Sequence, residues 1–187
     1  MLTSNRRGIL AQRRCQSRKI SADLVVFDLT SAIWPCSYKA MDNVESKIHA
    51  DVKEYGWHLI GVLEDSEGPS FAYSIGLQKT FGHSEILILG LDIKIMHQMI
   101  NGMANRVKVG VQFVCGQRDP GILAGYDCLI GEVEAKFFKS YLGRAIDFYG
   151  GYNFQALQCL WPDRHGLFPS DPHFSESLQK KQALMEI

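Results

Sequence analysis

The sequence predicts an α+β fold, in which about three helices pack against a mixed β-sheet. Its apolar segments follow the order hairpin, strand, helix, two strands, helix and strand, which is neither strict β–α alternation nor an all-β pattern. Residues 86–89 are continuously apolar, as expected of a strand that is covered on both faces. The chain has 187 residues and 46% of them are hydrophobic, so it can bury one ordinary core.

The first half of the chain alternates between strand and helix patterns. We predict a strand over residues 24–34, a helix over residues 42–55, paired strands over residues 57–63 and 71–77, and a strand over residues 86–89. Asp42 is placed to cap the helix, with Glu45 three residues later as in a capping box, and Gly56 is placed to end it.

The second half continues with longer helical patterns. We predict a helix over residues 92–110, a strand over residues 111–114, a loop over residues 116–125 and a strand over residues 128–133. A helix from about residue 137 that stops at residues 150–151 and a strand over residues 154–160 follow. Residues 161–174 then contain three prolines, which predicts irregular chain.

Charge divides the chain into three predicted parts: a basic flexible arm over residues 1–22, a single domain over residues 23–175 and a polar tail over residues 176–187. The arm carries Arg6, Arg7, Arg13, Arg14, Arg18 and Lys19. Residues 1–20 contain no acid, so they carry +6 and the rest of the chain carries −6. Such an arm can bind DNA or acidic lipid. The alternative is a solvated leader that keeps the protein soluble.

Several classes of protein are excluded by composition. The five cysteines are scattered and form no CxxC pair, so neither a zinc knuckle nor a disulfide framework is indicated. No apolar segment follows the arm as in a signal peptide, and none approaches the ~20 residues of a membrane span. We therefore expect a soluble, cytoplasmic protein.

The turn within FAYSIGLQKTFGHSEILILGL is the first candidate site. Gly82 lets the backbone bend, and His83 can transfer a proton near neutral pH. Glu85 offers a carboxylate two residues later, and alternation along an extended chain would point it to the same side as His83. The alternative is a polar corner in which Ser84 or Glu85 binds local backbone amides.

The segment after the last predicted strand is the second candidate site. Asp163, Arg164, His165, Asp171 and His173 fall within eleven residues, among prolines that stiffen the chain. Two carboxylates and two imidazoles could bind a divalent cation such as Mg²⁺ or Mn²⁺. The alternative is a strap whose aromatic side chains cover the edge of the sheet.

Phosphate binding has no sequence signature here, because both the P-loop and the GxGxxG pattern are absent. The arginines that remain as candidates are Arg106, Arg118, Arg144 and Arg164. We interpret His58, in an apolar strand, and His97, on a helix, as structural.

Four stretches resemble a bacterial domain-of-unknown-function family: GWHLIGVLED, GPSFAYSIGL, FGHSEILILGL and WPDRHGLFPSDP. The match covers about residues 56–174, and the chain departs from the family pattern at Ser74, Ser84 and Ser170. Ser84 replaces the proline that usually follows the histidine. This resemblance implies no particular reaction.

The basic opening and the layout are also similar to the oncogenic suppression activity family of plasmid fertility-inhibition factors. That resemblance implies a ParB/sulfiredoxin-like fold and a block of DNA transfer through a conjugation or type IV secretion system. It also implies ATP hydrolysis and metal-dependent DNA cleavage, and a cytoplasmic location, free or peripheral at the inner membrane. The nucleotide-site motif of sulfiredoxin and the Gly-Glu-Arg-Arg of ParB are absent from the chain.

If the chain is such a DNase and ATPase, its site residues can be assigned as hypotheses. The catalytic residues would be His83, Glu85 and His165, and the ligands of Mg²⁺ or Mn²⁺ would be Glu85, Asp163 and Asp171. Phosphate or nucleotide would be bound by Gly82, Ser84, Arg144 and Arg164. Two alternatives stay open: a non-catalytic inhibitor that binds a component of the transfer machinery, and a small-molecule-binding domain.

Overall fold

The computed structural model describes residues 38–185. The predicted basic arm and the predicted strand over residues 24–34 lie outside the described residues. Within them the fold is α+β, as predicted, with one six-stranded sheet and six helices. No helix of this part of the chain is long and apolar enough to cross a membrane.

The strands are β1 (His58–Val62), β2 (Phe71–Ile75), β3 (Glu85–Leu89), β4 (Arg118–Leu123), β5 (Tyr126–Glu132) and β6 (Ala156–Leu160). The helices are α1 (Tyr38–Tyr55), α2 (Leu77–Phe81), α3 (Ile93–Lys108), α4 (Ala135–Tyr141), α5 (Gly143–Tyr149) and α6 (Glu176–Gln179).

The sheet is mixed, with the strand order β1-β2-β3-β6-β5-β4. Its central pair, β3 and β6, is parallel, and every other neighbouring pair is antiparallel. The predicted hairpin is confirmed by the pairing of β1 with β2. Among the strands of residues 38–185, β1 pairs with β2 alone, so it forms one edge of this sheet.

Both faces of the sheet are covered, as the apolar run in β3 predicted. Ile86 and Ile88 belong to one core with the buried side of α3, and Leu87 and Leu89 belong to a second core with α1, α4 and α5. All four side chains have no exposed surface. Asp92 caps α3 by accepting a hydrogen bond from the backbone N–H of Lys94 at 2.8 Å, which confirms the predicted helix start.

The predicted strand over residues 111–114 is wrong, because its N–H groups bond to side chains and to the backbone of α3 instead of a neighbouring strand. The N–H of Phe113 donates to Nε2 of His83, and the N–H of Val114 donates to Oε1 of Gln117. The strand forms later, as β4, within the segment predicted as a loop. Pro120 is tolerated there because β4 is the other edge of the sheet and its register is irregular.

Three helix predictions also differ from the structure. The helix predicted from about residue 137 stops at Gly150, as predicted, but it is divided into α4 and α5 at Leu142. The sequence analysis does not predict the short helix α2. Helix α1 begins at Tyr38, so Asp42 lies inside it and not at its cap.

The tail predicted as polar chain packs on the domain up to residue 185. Gln182 is fully buried, and its side-chain amide bonds both the N–H and the C=O of Trp161, each at 2.8 Å. Gln158 on β6 bonds backbone groups of Ala183 and Met185 in the same way. Two buried glutamines therefore attach the end of the chain to the last strand.

Candidate functional site

The carboxylate of Glu85, predicted as catalytic and as a metal ligand, is fully buried at the start of β3. Its Oε2 accepts a hydrogen bond from the Ser74 hydroxyl at 2.6 Å. Its Oε1 accepts from the backbone N–H groups of Gly76 at 2.9 Å and Gln78 at 3.2 Å, and from the Tyr149 hydroxyl. Four donors thus surround a group that offers about four lone-pair positions.

These contacts make Glu85 a connector between three parts of the fold. Burial raises its pKa, and the hydrogen bonds from Ser74, Tyr149, Gln78 and Gly76 act in the opposite direction. Two of these donors are backbone groups at the β2–α2 junction, where Gly76 has a left-handed φ of 108°. The carboxylate is therefore engaged in holding β2, α2 and α5 together, in agreement with the alternative that it binds local amides.

His83, predicted to handle protons, uses both ring nitrogens inside the protein. Nδ1 lies 2.7 Å from the carbonyl oxygen of Ser84, so this nitrogen carries the hydrogen. Nε2 then accepts from the N–H of Phe113 at 3.0 Å. The ring is 1% exposed, and burial lowers its pKa. A neutral imidazole with both nitrogens engaged ties the turn to residues 111–114.

The other predicted residues near the turn hold backbone positions. Gly82 ends α2 with a φ of 68°, and its N–H donates to the carbonyl of Gln78. Ser84 accepts the bond from His83. Arg144 lies on α5, where its N–H donates to the hydroxyl of the buried Tyr73 and its guanidinium is 3.7 Å from the carboxylate of Asp147.

The aspartates of the loop after β6 shape tight turns. Oδ1 of Asp163 accepts from the N–H groups of Leu167 at 3.0 Å and His165 at 2.8 Å, and these bonds lower its pKa. Oδ2 of Asp171 accepts from the N–H of Phe168 at 2.6 Å. Arg164 and His165 are exposed, and Nε of Arg164 donates to Nε2 of His165 at 3.1 Å.

The structure does not bring the predicted metal ligands together. Strands β3 and β6 are parallel, and Glu85 pairs with Ala156 at their beginning. Asp163 and Asp171 follow the other end of β6, which at ~3.3 Å per residue is roughly 13 Å away for the strand alone. Within residues 43–185 no three His, Cys, Asp or Glu side chains are grouped so that they could hold a metal.

A different place in the fold combines a cavity with polar side chains. A cavity of about 440 Å³ lies where α1 ends, β1 begins and α3 ends, and its lining includes Asp51, Trp57, His58, Asn101, Asn105 and Lys108. We call it the Trp57 groove.

An aspartate–histidine pair lies on one side of the Trp57 groove. Nδ1 of His58 is 2.7 Å from Oδ2 of Asp51, whose carboxylate is also 3.0 Å from the ammonium of Lys47. Burial opposes the ionisation of Asp51, but the hydrogen bonds from His58 and Lys47 outweigh it, so its pKa is lowered. Burial lowers the pKa of His58, and the bond to Asp51 opposes that shift. The lowered pKa favours the neutral ring, in which Nδ1–H donates to Asp51 and Nε2 has no hydrogen-bond partner among the described residues.

The indole of Trp57 is held in place on the other side of the groove. Its Nε1–H donates to Oδ1 of Asn101 at 3.0 Å, and its ring lies 6.3 Å from that of Phe81. The Lys108 ammonium is 6.0 Å from the centre of the indole. Nearby, Nε2 of His97 is buried without a partner among the described residues.

Sequence reasoning missed this groove because its members come from three separate elements. His58 was interpreted as structural, and nothing in the sequence pairs it with Asp51 seven residues earlier. One signal was present: Asn101, Asn105 and Lys108 have the i, i+4, i+7 spacing of one helix face.

Comparison with known protein families gives one result. Residues 51–175 match the family model described as "Domain of unknown function (DUF4262)". Comparison with curated proteins and with solved structures finds no match. The resemblance to a domain-of-unknown-function family is thus confirmed, whereas the similarity to the oncogenic suppression family stays a prediction. Since the match covers well over half of the chain and includes all six strands, the chain belongs to the DUF4262 family.

Proposed function

We propose that the domain binds a small molecule in the Trp57 groove. One observation carries the proposal: a cavity of about 440 Å³ brings together polar side chains that keep hydrogen-bonding groups without a partner among the described residues. This volume lies in the range of ~300–1,000 Å³ that is usual for small-molecule sites. The proposal takes up the alternative of a small-molecule-binding domain, which the sequence associates with the turn around His83, and moves the site to the groove.

The contrast with the turn supports this choice of site. Glu85 and His83 have hydrogen-bond partners on every side and almost no exposed surface. A ligand there would have to displace bonds that hold the fold. In the Trp57 groove, His58 keeps Nε2 uncommitted while Asp51 fixes the orientation of its ring.

The walls of the groove are also suited to hold a ligand at fixed positions. Trp57 is anchored by Asn101, and His58 is anchored by Asp51. Both anchors lie on long helices that pack on the sheet, α1 of 18 residues and α3 of 16. Because these side chains are already held in place, they lose less conformational entropy when a ligand binds.

A fragment screen by ¹H–¹⁵N NMR on the full chain tests the proposal. We expect fragments that bind to shift the indole N–H signal of Trp57 in a saturable way. Asn105→Arg, which fills the groove, should abolish these shifts, and Gln179→Arg, at an exposed position on α6 beyond the other end of the sheet, should leave them unchanged. Binding that survives Asn105→Arg, or no fragment acting on Trp57, contradicts the proposal.

A second candidate function is the block of plasmid DNA transfer, by DNA cleavage with ATP hydrolysis or by binding a component of the transfer machinery. The resemblance to the oncogenic suppression family and the +6 charge of residues 1–20 support it. If cleavage occurs, Mg²⁺ or Mn²⁺ would need a different set of ligands, because Glu85 lies at one end of β6 and Asp163 and Asp171 follow the other end. Arg164 and His165 would be the accessible groups.

Three assays test the second candidate. Purified protein is incubated with plasmid DNA and Mg²⁺, Mn²⁺ or EDTA, beside an ATP hydrolysis assay. Chain lacking residues 2–20 is compared with the full chain for inhibition of transfer between cells. Metal-dependent cleavage that is lost in His165→Ala supports the nuclease, and inhibition that needs the arm without cleavage supports a binding inhibitor. Full transfer in the presence of the protein contradicts both.

A further inference from the structure

We infer that the ligand of the Trp57 groove is a small oxyanion, a carboxylate or a phosphate, that also carries an O–H or N–H group. This inference rests on the proposed function. It follows from which side chains of the groove still have unused donors and acceptors. Asn101, Asn105 and Lys108 lie on one face of α3 and provide the donors.

Asn101 is oriented by its partner. An indole N–H can only donate, so the Asn101 atom that faces Nε1 of Trp57 at 3.0 Å must be the carbonyl oxygen. The amide N–H groups of Asn101 are then free to donate. Asn105, one turn later, makes no side-chain hydrogen bond with any described residue and brings a second amide to the same face.

Lys108 supplies a positive charge that no described carboxylate neutralises. The neighbouring cations are different: Lys47 is 3.0 Å from Asp51, and Arg106 forms a two-pronged pair with Asp119 at 2.7 and 2.8 Å. The ammonium of Lys108 instead lies over the Trp57 ring. The groove thus contains an unpaired cation beside two amides.

The negative features of the groove are each engaged by a partner or offset by a cation. The carboxylate of Glu54 accepts a hydrogen bond from the hydroxyl of Tyr55, which lines the groove. The carboxylate of Asp51 is engaged by both Lys47 and His58. The C-terminal end of α3 carries a partial charge equivalent to roughly −0.5, and Arg106 and Lys108 in its last turn offset it. A ligand with a negative group is therefore favoured over a neutral or a cationic one.

His58 adds the second requirement. Because its Nδ1–H donates to Asp51, the neutral ring presents Nε2 as an acceptor. An anion without a donor would leave that nitrogen unpaired when it displaces water. A hydroxy acid or a monohydrogen phosphate satisfies both the donors on α3 and the acceptor on β1.

Titration of the full chain with five probes tests the inference: inorganic phosphate, glycolate, acetate, glycerol and guanidinium. The readout is the NMR signal of the Trp57 indole N–H. We expect phosphate or glycolate to bind more tightly than acetate, and glycerol and guanidinium to have no effect. Comparison of the phosphate titration with the glycolate titration shows which of the two kinds of oxyanion binds more tightly.

Matched variants locate the binding groups. Asn105→Asp keeps the side-chain volume and adds a negative charge, so it should weaken anion binding by roughly tenfold or more. Gln179→Glu, at an exposed position on α6 beyond the other end of the sheet, should not. Lys108→Ala should weaken binding by a similar factor, and Lys94→Ala should not.

The outcomes separate this inference from the function on which it rests. If fragments shift the Trp57 signal but none of the anions does, or if glycerol or guanidinium binds as well as they do, the inference is overturned and the proposed function stands. If neither anions nor any fragment acts on Trp57, both are overturned. Anion binding that is insensitive to Asn105→Asp also overturns the inference.

Discussion

The imidazole of His83 accepts a hydrogen bond from the backbone N–H of Phe113, 3.0 Å away and thirty residues later in the chain. The two rings also meet edge to face, with their centres 5.7 Å apart. This relationship explains why residues 111–114 are not a strand and why the histidine of the turn is buried. It assigns His83 to the stability of the fold.

The first prediction follows from that contact. His83→Ala should lower the free energy of unfolding by about 2–4 kcal/mol, because it leaves a buried N–H without a partner and creates a cavity. Urea unfolding followed by circular dichroism measures the change. His165→Ala, at an exposed position, should change it by less than about 0.5 kcal/mol. Equal effects of the two variants would contradict the structural role of His83.

The second prediction concerns pH. The pKa of His83 in the folded protein is lowered by burial, so below its ordinary value of ~6.5 the unfolded chain binds more protons than the folded one. The contribution of neutral His83 to the free energy of unfolding is therefore fully present above pH ~6.5, and it is lost as the pH falls through the pKa of the folded state. His58 and His97 are shifted in the same direction by burial.

Chemical denaturation at several pH values between 5 and 8 measures this dependence. The free energy of unfolding should decrease as the pH falls below ~6.5, and His83→Gln should reduce the slope because it removes one of the titrating groups. A wild-type stability that rises on acidification over this range would show that the buried imidazoles do not control it.

The third prediction tests the connector role of Glu85. Glu85→Gln keeps the shape of the side chain but replaces one acceptor oxygen with an NH₂ group. This group cannot accept a hydrogen bond, so at least one of the donors Ser74, Gly76, Gln78 and Tyr149 loses its partner. We expect a loss of about 1–3 kcal/mol in stability. Tyr149→Phe should cost less when it is combined with Glu85→Gln than in the wild type, and a double-mutant cycle measures this coupling. Additive effects would mean that the two groups do not interact.

The fourth prediction concerns the end of the chain. Gln182→Ala leaves both the N–H and the C=O of Trp161 unpaired in a buried place, and should destabilise the protein by about 1–3 kcal/mol. Gln179→Ala is the control, since its amide makes a single long bond of 3.3 Å to Pro169. Hydrogen exchange should show faster opening of residues 180–185 in the first variant and not in the second.

Local chemistry was enough to predict most of the sheet and the long helices. The Asp92 cap, the apolar face of α3 and the double-sided apolar run of β3 each depend on residues within about one or two turns of each other. The incorrect predictions fall where contacts between distant segments decide the local structure. Residues 111–114 have a strand composition, but a histidine distant in sequence takes one of their N–H groups, and no local pattern contains that partner.

The candidate sites show the same division. Sequence alone singled out the turn because Gly82, His83 and Glu85 are close in the chain and chemically capable, and it left open that Glu85 serves local amides. The sequence by itself determined the α+β class, the helical face that bears Asn101, Asn105 and Lys108, and membership of a recognisable family. Tertiary structure alone decided which polar groups are saturated and which remain free. The reason is that burial and hydrogen-bond partners depend on segments that are distant in the chain. Contacts between such segments enclose Glu85 and His83, and the course of β6 separates Asp163 from Glu85. The same packing places Asp51, His58 and the end of α3 around one cavity.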